Sequence, residues 1–390
     1  MRLDSLFLDF NAGAPVHPLV LETWMRVARD VPANPSALHF AGRKAEGALE
    51  DARERVARSL GVRAREVVFT GGATEANNLA LLGAARARAR RDGRPPALVA
   101  TRAEHPSVLG PLRLLQQEGH RLSLGPLDRS ARADASAFLA AVNQHEAGLA
   151  VLQWANNETG AVQPLEEIAA GLPADVHLHV DATQGIGKLS WAPALSRADT
   201  VALSGHKFRA PKAIGVLLVR EDALLEAVLS GGGQQRGLRP GTESPANAQA
   251  LAHALELAIA EQTAFSETMR RVSHRFLTRL QEEIHEIRFN HPEREIFRFP
   301  NTLNLSFPDL DGRALLPACD LAGLAVSSGA ACSSGSPRPS AVLLACGLPE
   351  PLARASLRIS FGWGQEESAG ERAAERLGVL LKRLYQHAKL

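Results

Sequence analysis

Short apolar runs that end in a polar or small residue alternate along this chain with longer stretches whose apolar positions recur every three to four residues. EVVFT, PALVAT, GLAVLQ, HLHVD, TVALS and GVLLV have the length of buried strands. Several are followed by a polar loop and then a helical stretch, as in EVVFTGGATEANNLALLGAA, PALVATRAEHPSVLGPLRLLQQEGH and GLAVLQWANNETGAVQPLEEIAA. That repeated order predicts an α/β fold with a mostly parallel, doubly wound sheet. LFLDF at the start reads as a further short strand, and a charged helical stretch is expected from about Gly42 to Leu60. From about Ala246 one long helical pattern runs to His285 and bridges to a second lobe of α+β character. That lobe has NTLNLSF, LAVSS and ASLRISFGW as strands and DGRALLPACDLAG as a helix. A closing amphipathic helix buries Leu377, Leu380, Leu381 and Leu384. The expected division is a large lobe over 15–255 and a smaller one made of 1–14 and 256–390.

Composition sharpens this picture. With 390 residues, 45% of them hydrophobic, the chain can bury one large core and a second smaller one. A formal net charge of +2 gives no electrostatic case for nucleic acid or an acidic membrane surface. The run RARARRDGR, from Arg86 to Arg94, reads as a solvated helix end. No apolar run approaches the roughly 20 residues of a membrane span, and Asp4 and Asp9 interrupt what would be a signal core. A soluble, cytoplasmic protein is expected. Three cysteines, Cys319, Cys332 and Cys346, fit a reducing compartment.

The chemistry is expected where HLHVD ends in Asp181 and TVALSGHK ends in Lys207. Ligands of open α/β sheets sit beyond the carboxyl ends of the strands, so this acid and this amine can be neighbours there. Positive charge is otherwise met almost wholly by arginine, which cannot form a Schiff base as an amine can. The glycine pair before Thr74 opens a helix whose N-terminus suits a phosphate, although Thr74 could equally be an ordinary cap. His105 follows one strand, and Asn156, Asn157 and Glu158 follow another. With Tyr385 the sole tyrosine, a planar ligand would have to stack on His, Phe or Trp, which favours His105. His177 and His179 share a strand face, but no third metal ligand is evident and packing is the better reading. SGGGQQRGLRPGTES is a mobile or substrate-covering loop, or a plain linker.

A lysine to hold an aldehyde as an imine, a carboxylate to keep a pyridine nitrogen protonated, a helix start for a phosphate and a flat side chain together meet the needs of pyridoxal 5'-phosphate. No GxGxxG followed by an acid and no GxxxxGKT supports a dinucleotide or nucleotide instead. Cys319 and Cys346 lie in apolar helical stretches and read as inert. Cys332 sits among Ser327, Ser328, Gly329, Ala330, Ala331, Ser333, Ser334 and Gly335, too small a set to bury it, and is poised to react as a thiolate.

GGATEANNLA, AEHPSVL, NNETGAVQP, HVDATQGIGKL, LSGHKFRAPKAIGVL, GGGQQRGLRPGTE and AVSSGAACSSGS together resemble the cysteine desulfurases of the NifS/IscS-like branch, class-V aminotransferases of the fold-type I pyridoxal phosphate enzymes. The likeness extends from LFLDFNAGAPV to LRISFGW. It implies that Lys207 anchors the cofactor, Asp181 binds the pyridine nitrogen, His105 lies over the ring, and Gln184 and Asn156 sit near the phenolic oxygen. Ala73, Thr74, Ser204 and His206 would hold the phosphate, joined by Thr242 of the partner subunit in a homodimer. Arg358, with Asn156, would take the substrate L-cysteine, and Cys332 would accept its sulfur as a persulfide, releasing alanine. The long cysteine loop implies delivery to an acceptor or scaffold protein, for iron–sulfur clusters or for tRNA and cofactor thiolation. Ala12, Gly13 and Ala14 replace a usually Thr-rich turn, and FRAPKAIG replaces a glycine-richer one, which bears on the substrate entrance. A selenocysteine lyase, a cystine or cysteine C–S lyase, or a sulfur-relay protein without catalysis remain alternatives.

Overall fold

The computed structural model describes residues 5–191, 193–328 and 338–388. In chain order the described elements are β1 (Leu6–Phe7), α1 (Pro18–Asp30), α2 (Phe40–Leu60), β2 (Val67–Thr70), α3 (Ala73–Asp92), β3 (Ala97–Thr101), α4 (Pro106–Gln117) and β4 (Leu122–Gly125). Next come α5 (Ala135–Gln144), β5 (Ala147–Gln153), α6 (Leu165–Gly171), β6 (His177–Asp181), β7 (Thr200–Ser204), β8 (Gly215–Val219), α7 (Pro245–Ala260) and α8 (Gln262–Glu283). The remainder is β9 (Arg288–Phe289), β10 (Thr302–Ser306), α9 (Gly312–Leu321), β11 (Leu324–Ala325), α10 (Ala341–Ala345), α11 (Glu350–Arg354), β12 (Ser356–Ser360) and α12 (Glu367–Ala388).

Seven strands form one sheet in the order β2–β8–β7–β6–β5–β3–β4. β8 runs antiparallel to both neighbours and the other pairings are parallel. Both faces are covered, which is why β2, β3, β6, β7 and β8 are buried at every position and read as continuous apolar runs. Register sets the site, since Gln153 lies beside Asp181, Asp181 beside Ala202, and Ser204 beside Gly215. The carboxyl ends of β5, β6 and β7 therefore finish at one edge.

A second sheet, β12–β10–β9, is antiparallel and shares an apolar cluster with α8 and α12. Phe276, Leu303, Leu305, Leu357, Ile359 and Leu381 are at its core, while Leu380 and Leu384 are partly buried against it. The N-terminal segment ties the two parts together. Leu6 and Phe7 pair in parallel with Leu324 and Ala325, the Asn11 amide reaches Thr302 Oγ1 at 2.8 Å, and Ala14 N–H reaches the His206 carbonyl at 2.9 Å.

The single helical pattern expected over 246–285 is instead two helices. Glu261, at φ −89° and ψ −4°, caps α7 and starts α8. The reason is a change of core. Ala248, Leu251 and Leu255 of α7 pack with the large sheet, whereas Phe265, Met269 and Phe276 of α8 pack with the small one. α2 begins at Phe40, two residues before Gly42, because His39 Nδ1 accepts the Gly42 N–H at 3.1 Å. No helix among the described residues is long and apolar enough to cross a membrane.

Candidate active site

Lys207 closes a short 3-10 turn, Gly205–Lys207, directly after β7. Its Nζ donates to the Asn11 carbonyl at 2.6 Å and to the Ala12 carbonyl at 3.0 Å. Burial lowers its pKa to about 8, helped by the Arg358 charge and opposed by Asp9 and Asp181. The amine is thus both hydrogen-bonded and within reach of its neutral form near neutral pH.

Asp181 ends β6. Its Oδ1 accepts the Thr183 N–H at 3.0 Å and its Oδ2 accepts Asn77 Nδ2 at 2.9 Å. His105 is the N-cap of α4, with Nδ1 accepting from Ser107 N at 3.1 Å. Burial lowers the His105 pKa, so the ring is held neutral. Beside it Glu104 is buried, with Oε1 accepting from Thr101 Oγ1 at 2.7 Å and Oε2 without a partner among the described residues. Burial pushes Glu104 up to about 8.

The start of α3 lacks a side-chain cap. Gly72 is its N-cap, at φ 143° and ψ 179°, a conformation essentially restricted to glycine. Thr74 is therefore an exposed residue inside the first turn, and the alternative reading of it as an ordinary cap does not hold. The backbone N–H groups of this turn are left facing outward with the positive end of a helix of 20 residues behind them. A Cβ at Gly72 would lie 3.7 Å from Ser204 Oγ, which in turn contacts His206 Nδ1 at 3.0 Å. Burial and the Lys207 charge lower His206 to about 4. The first turn of α3, with Ala73 and Thr74, thus starts beside Ser204 and His206. Thr242 lines a small cavity with Thr70, Gly71 and Arg239 of the same chain.

Gln184 donates from Nε2 to the Asn11 carbonyl at 3.0 Å, the same carbonyl that Lys207 contacts. Asn156 Oδ1 accepts from Glu158 N and Thr159 N at 2.9 and 2.8 Å, so its side chain braces the NNETG loop. Arg358 pairs through Nη2 with Asp9 Oδ1 at 2.6 Å and through Nη1 with the Asn157 carbonyl at 3.2 Å. Its Nε is buried without a partner among the described residues. Cys332 lies outside the described residues. Cys319 and Cys346 are free thiols that burial raises to about 12, in keeping with inert packing. His177 and His179 both contact Thr200 Oγ1, at 3.0 and 2.9 Å, and no cluster of three metal-ligating side chains occurs among the described residues.

Sequence reasoning did not single out Asn11, Asp9, Asn77, Glu104 or Lys188. Lys188 is wholly buried, contacts Gln184 Oε1 at 3.5 Å, and is lowered to about 7 by burial and then by Lys207 and Arg358. Its place among the few lysines, four residues after Gln184, was the available signal. Asp9, Asn11, Asn77 and Glu104 lie inside the stretches LFLDFNAGAPV, GGATEANNLA and AEHPSVL, but nothing within those stretches tells which side chain reaches Lys207, Asp181 or Arg358.

The model of the class-V aminotransferase family matches residues 6–368. The chain is 34% identical to the IscS-like cysteine desulfurase of Mycobacterium tuberculosis, across 95% of each sequence. It superposes on a solved NifS-like protein with a TM-score of 0.89 at 28% identity, covering 97% of this chain and 100% of that one. A structure described as SspA in complex with cysteine aligns at 31% identity and a TM-score of 0.78, covering 91% and 98%. By its fold, its strand-end lysine and acid, and these likenesses, the chain belongs to the cysteine desulfurases of the class-V aminotransferase family, whose enzymes depend on pyridoxal phosphate.

Proposed function

We propose that this enzyme converts L-cysteine to L-alanine and takes the sulfur onto Cys332 as a persulfide, for passage to an acceptor protein. The single observation that carries the reading is Lys207 just after β7 with Asp181 at the end of the adjacent β6, the amine's pKa lowered to about 8 by burial. The residues present fit pyridoxal phosphate. The uncapped start of α3, with Gly72 beside Ser204, suits its phosphate, and Thr183 Oγ1 and Arg358 Nε are buried polar atoms with no hydrogen-bond partner among the described residues. Bound there, the cofactor supplies an aldehyde that captures amines and a ring that accepts electrons from the substrate α-carbon.

The chain's own groups account for the rest. Lys207 would hold the aldehyde, and its freed Nζ would take the substrate α-proton. Asp181 would face the ring nitrogen, fixed by Asn77 and Thr183. His105 would lie over the ring, and Gln184, with Asn156 bracing its loop, would border the phenolic oxygen. Ala73, Thr74, Ser204 and His206 would bind the phosphate. Arg358, oriented by Asp9 and Asn157, would receive the substrate carboxylate. Attack of the Cys332 thiolate breaks the substrate C–S bond and forms an S–S bond, so L-cysteine and the enzyme thiol become L-alanine and the enzyme persulfide. Reductant then frees one sulfide.

A homodimer that brings in Thr242 of the partner subunit belongs to the same reading, supported by exposed apolar side chains at Met25, Leu38 and Phe40. So do the division into residues 15–255 against 1–14 and 256–390, which the two largest apolar clusters support, and a cytoplasmic site of action. The test is product analysis. Holoenzyme with L-cysteine and a thiol reductant should give alanine and sulfide in equal amounts, and Cys332→Ala should lose persulfide formation while keeping the yellow cofactor. Pyruvate and ammonia in place of alanine would mean an eliminating lyase, and full turnover by Cys332→Ala would remove that thiol from the mechanism.

A further inference from the structure

Beneath Asp181 lies a buried hydrogen-bond chain whose proton order can be worked out atom by atom. Asn77, on α3, is fully buried and touches three groups. Its Nδ2 is 2.9 Å from Asp181 Oδ2 and 2.9 Å from Ser107 Oγ, and its Oδ1 is 3.0 Å from His179 Nε2. A carboxylate offers no hydrogen, so the amide must turn its NH2 to Asp181. Its oxygen then faces His179, which has to carry a proton on Nε2.

Burial holds His179 neutral, lowered to about 4, so its Nδ1 is bare and takes the hydroxyl proton of Thr200 at 2.9 Å. Thr200 Oγ1 has then spent its hydrogen and accepts from His177 Nε2 at 3.0 Å. His177 Nδ1 is left bare, in agreement with its having no partner among the described residues. On the other branch Ser107 Oγ accepts from Asn77 and donates to His105 Nδ1 at 2.7 Å, alongside the Ser107 backbone N–H. His105 therefore keeps its proton on Nε2.

We propose that Asn77 is a positioning residue, one amide that fixes the tautomer of His179 and holds the Asp181 carboxylate by a donated hydrogen bond while sharing that donor with the Ser107–His105 branch. The proton order stands with or without a bound group; its consequence for turnover rests on the proposed function. Losing Asn77 frees His179 to move its proton to Nδ1 and leaves Asp181 one donor short, whereas His105 keeps its backbone donor and its tautomer.

Two-bond proton–nitrogen NMR on protein labelled with nitrogen-15 histidine tests this, on the holoenzyme and after removal of the cofactor. Wild type should show His105, His177 and His179 all as Nε2–H. Thr200→Val removes the hydroxyl without removing bulk, and should disturb His177 while His179 stays Nε2–H. Asn77→Leu should shift His179 toward Nδ1–H and leave His105 as it was. In turnover, Asn77→Leu should lower kcat tenfold or more with KM for L-cysteine within about threefold. His179 as Nδ1–H in wild type, or a His179 tautomer that follows Thr200→Val, would overturn the proposal, and the Thr200 variant decides even if Asn77→Leu fails to fold. Correct tautomers in a protein that makes no alanine would instead count against the assigned reaction.

Discussion

Glu104 shows what burial does to a single residue here. The unfolded chain ionises it above about 4.5, while the fold holds its proton up to about 8. Folding therefore takes up a proton between those values, and stability falls as pH rises from 4.5 to 8, with the full penalty present above 8. Glu104→Gln keeps the shape and the hydrogen bond from Thr101 but has no proton to lose. Its melting temperature should exceed that of wild type by more at pH 8 than at pH 5; an equal difference at both values would show that Glu104 ionises normally. Lys207 works in the opposite sense for function. Its neutral fraction rises about tenfold per unit below pH 8, so cofactor capture by cofactor-free protein, followed by absorbance, should speed up by about that factor from pH 6 to 7 and level off above 8. A rate still climbing at pH 10 would place the Lys207 pKa at its ordinary value.

At the scale of elements, the turns around the strand ends carry the strain. Ala213, in the FRAPKAIG turn after Lys207, has φ 62°, and Arg209 has φ 70°. A left-handed conformation costs a residue with a Cβ roughly 1–2 kcal/mol, offset in part by the unfolded-state entropy of glycine. Ala213→Gly should stabilise by roughly 0.5–1 kcal/mol in urea unfolding, and a loss of stability would show that neighbours of the Ala213 methyl group outweigh the strain. Gly215 is the reverse case, because a Cβ there would come within 2.6 Å of the Leu203 carbonyl and 2.7 Å of Gly72 Cα. Gly215→Ala should push β8 from the β2–α3 turn, lower stability by about 2 kcal/mol or more, and weaken cofactor retention in dialysis. Unchanged retention would mean that the start of α3 beside Ser204 is not where the phosphate binds. The strands and their polar ends were legible in the sequence because a continuous apolar run of strand length that stops at a polar residue is a local signal. The break at Glu261 was not, since both sides keep a helical period and only the partner core changes.

For the whole molecule, long-range contacts decide how much of the site the sequence could reveal. Lys207 and Asp181 announced themselves by rarity and by their place after apolar runs. Asn77 and Asp181 are 104 residues apart, and Asp9 and Arg358 are 349 apart, so no window of sequence contains either pair. The N-terminal segment, through Asp9, Asn11 and Ala14, brings both sheets against the amine. If Phe40 and Met25 meet a second copy, Phe40→Glu should lower the dimer fraction in light scattering, and an unchanged mass would move the interface elsewhere. Lys207 is the amine proposed to hold the cofactor, and the fully buried Lys188 is its nearest rival. Borohydride reduction of the holoenzyme followed by peptide mass spectrometry should find the phosphopyridoxyl group on Lys207, and finding it on Lys188 or on another lysine would contradict the account.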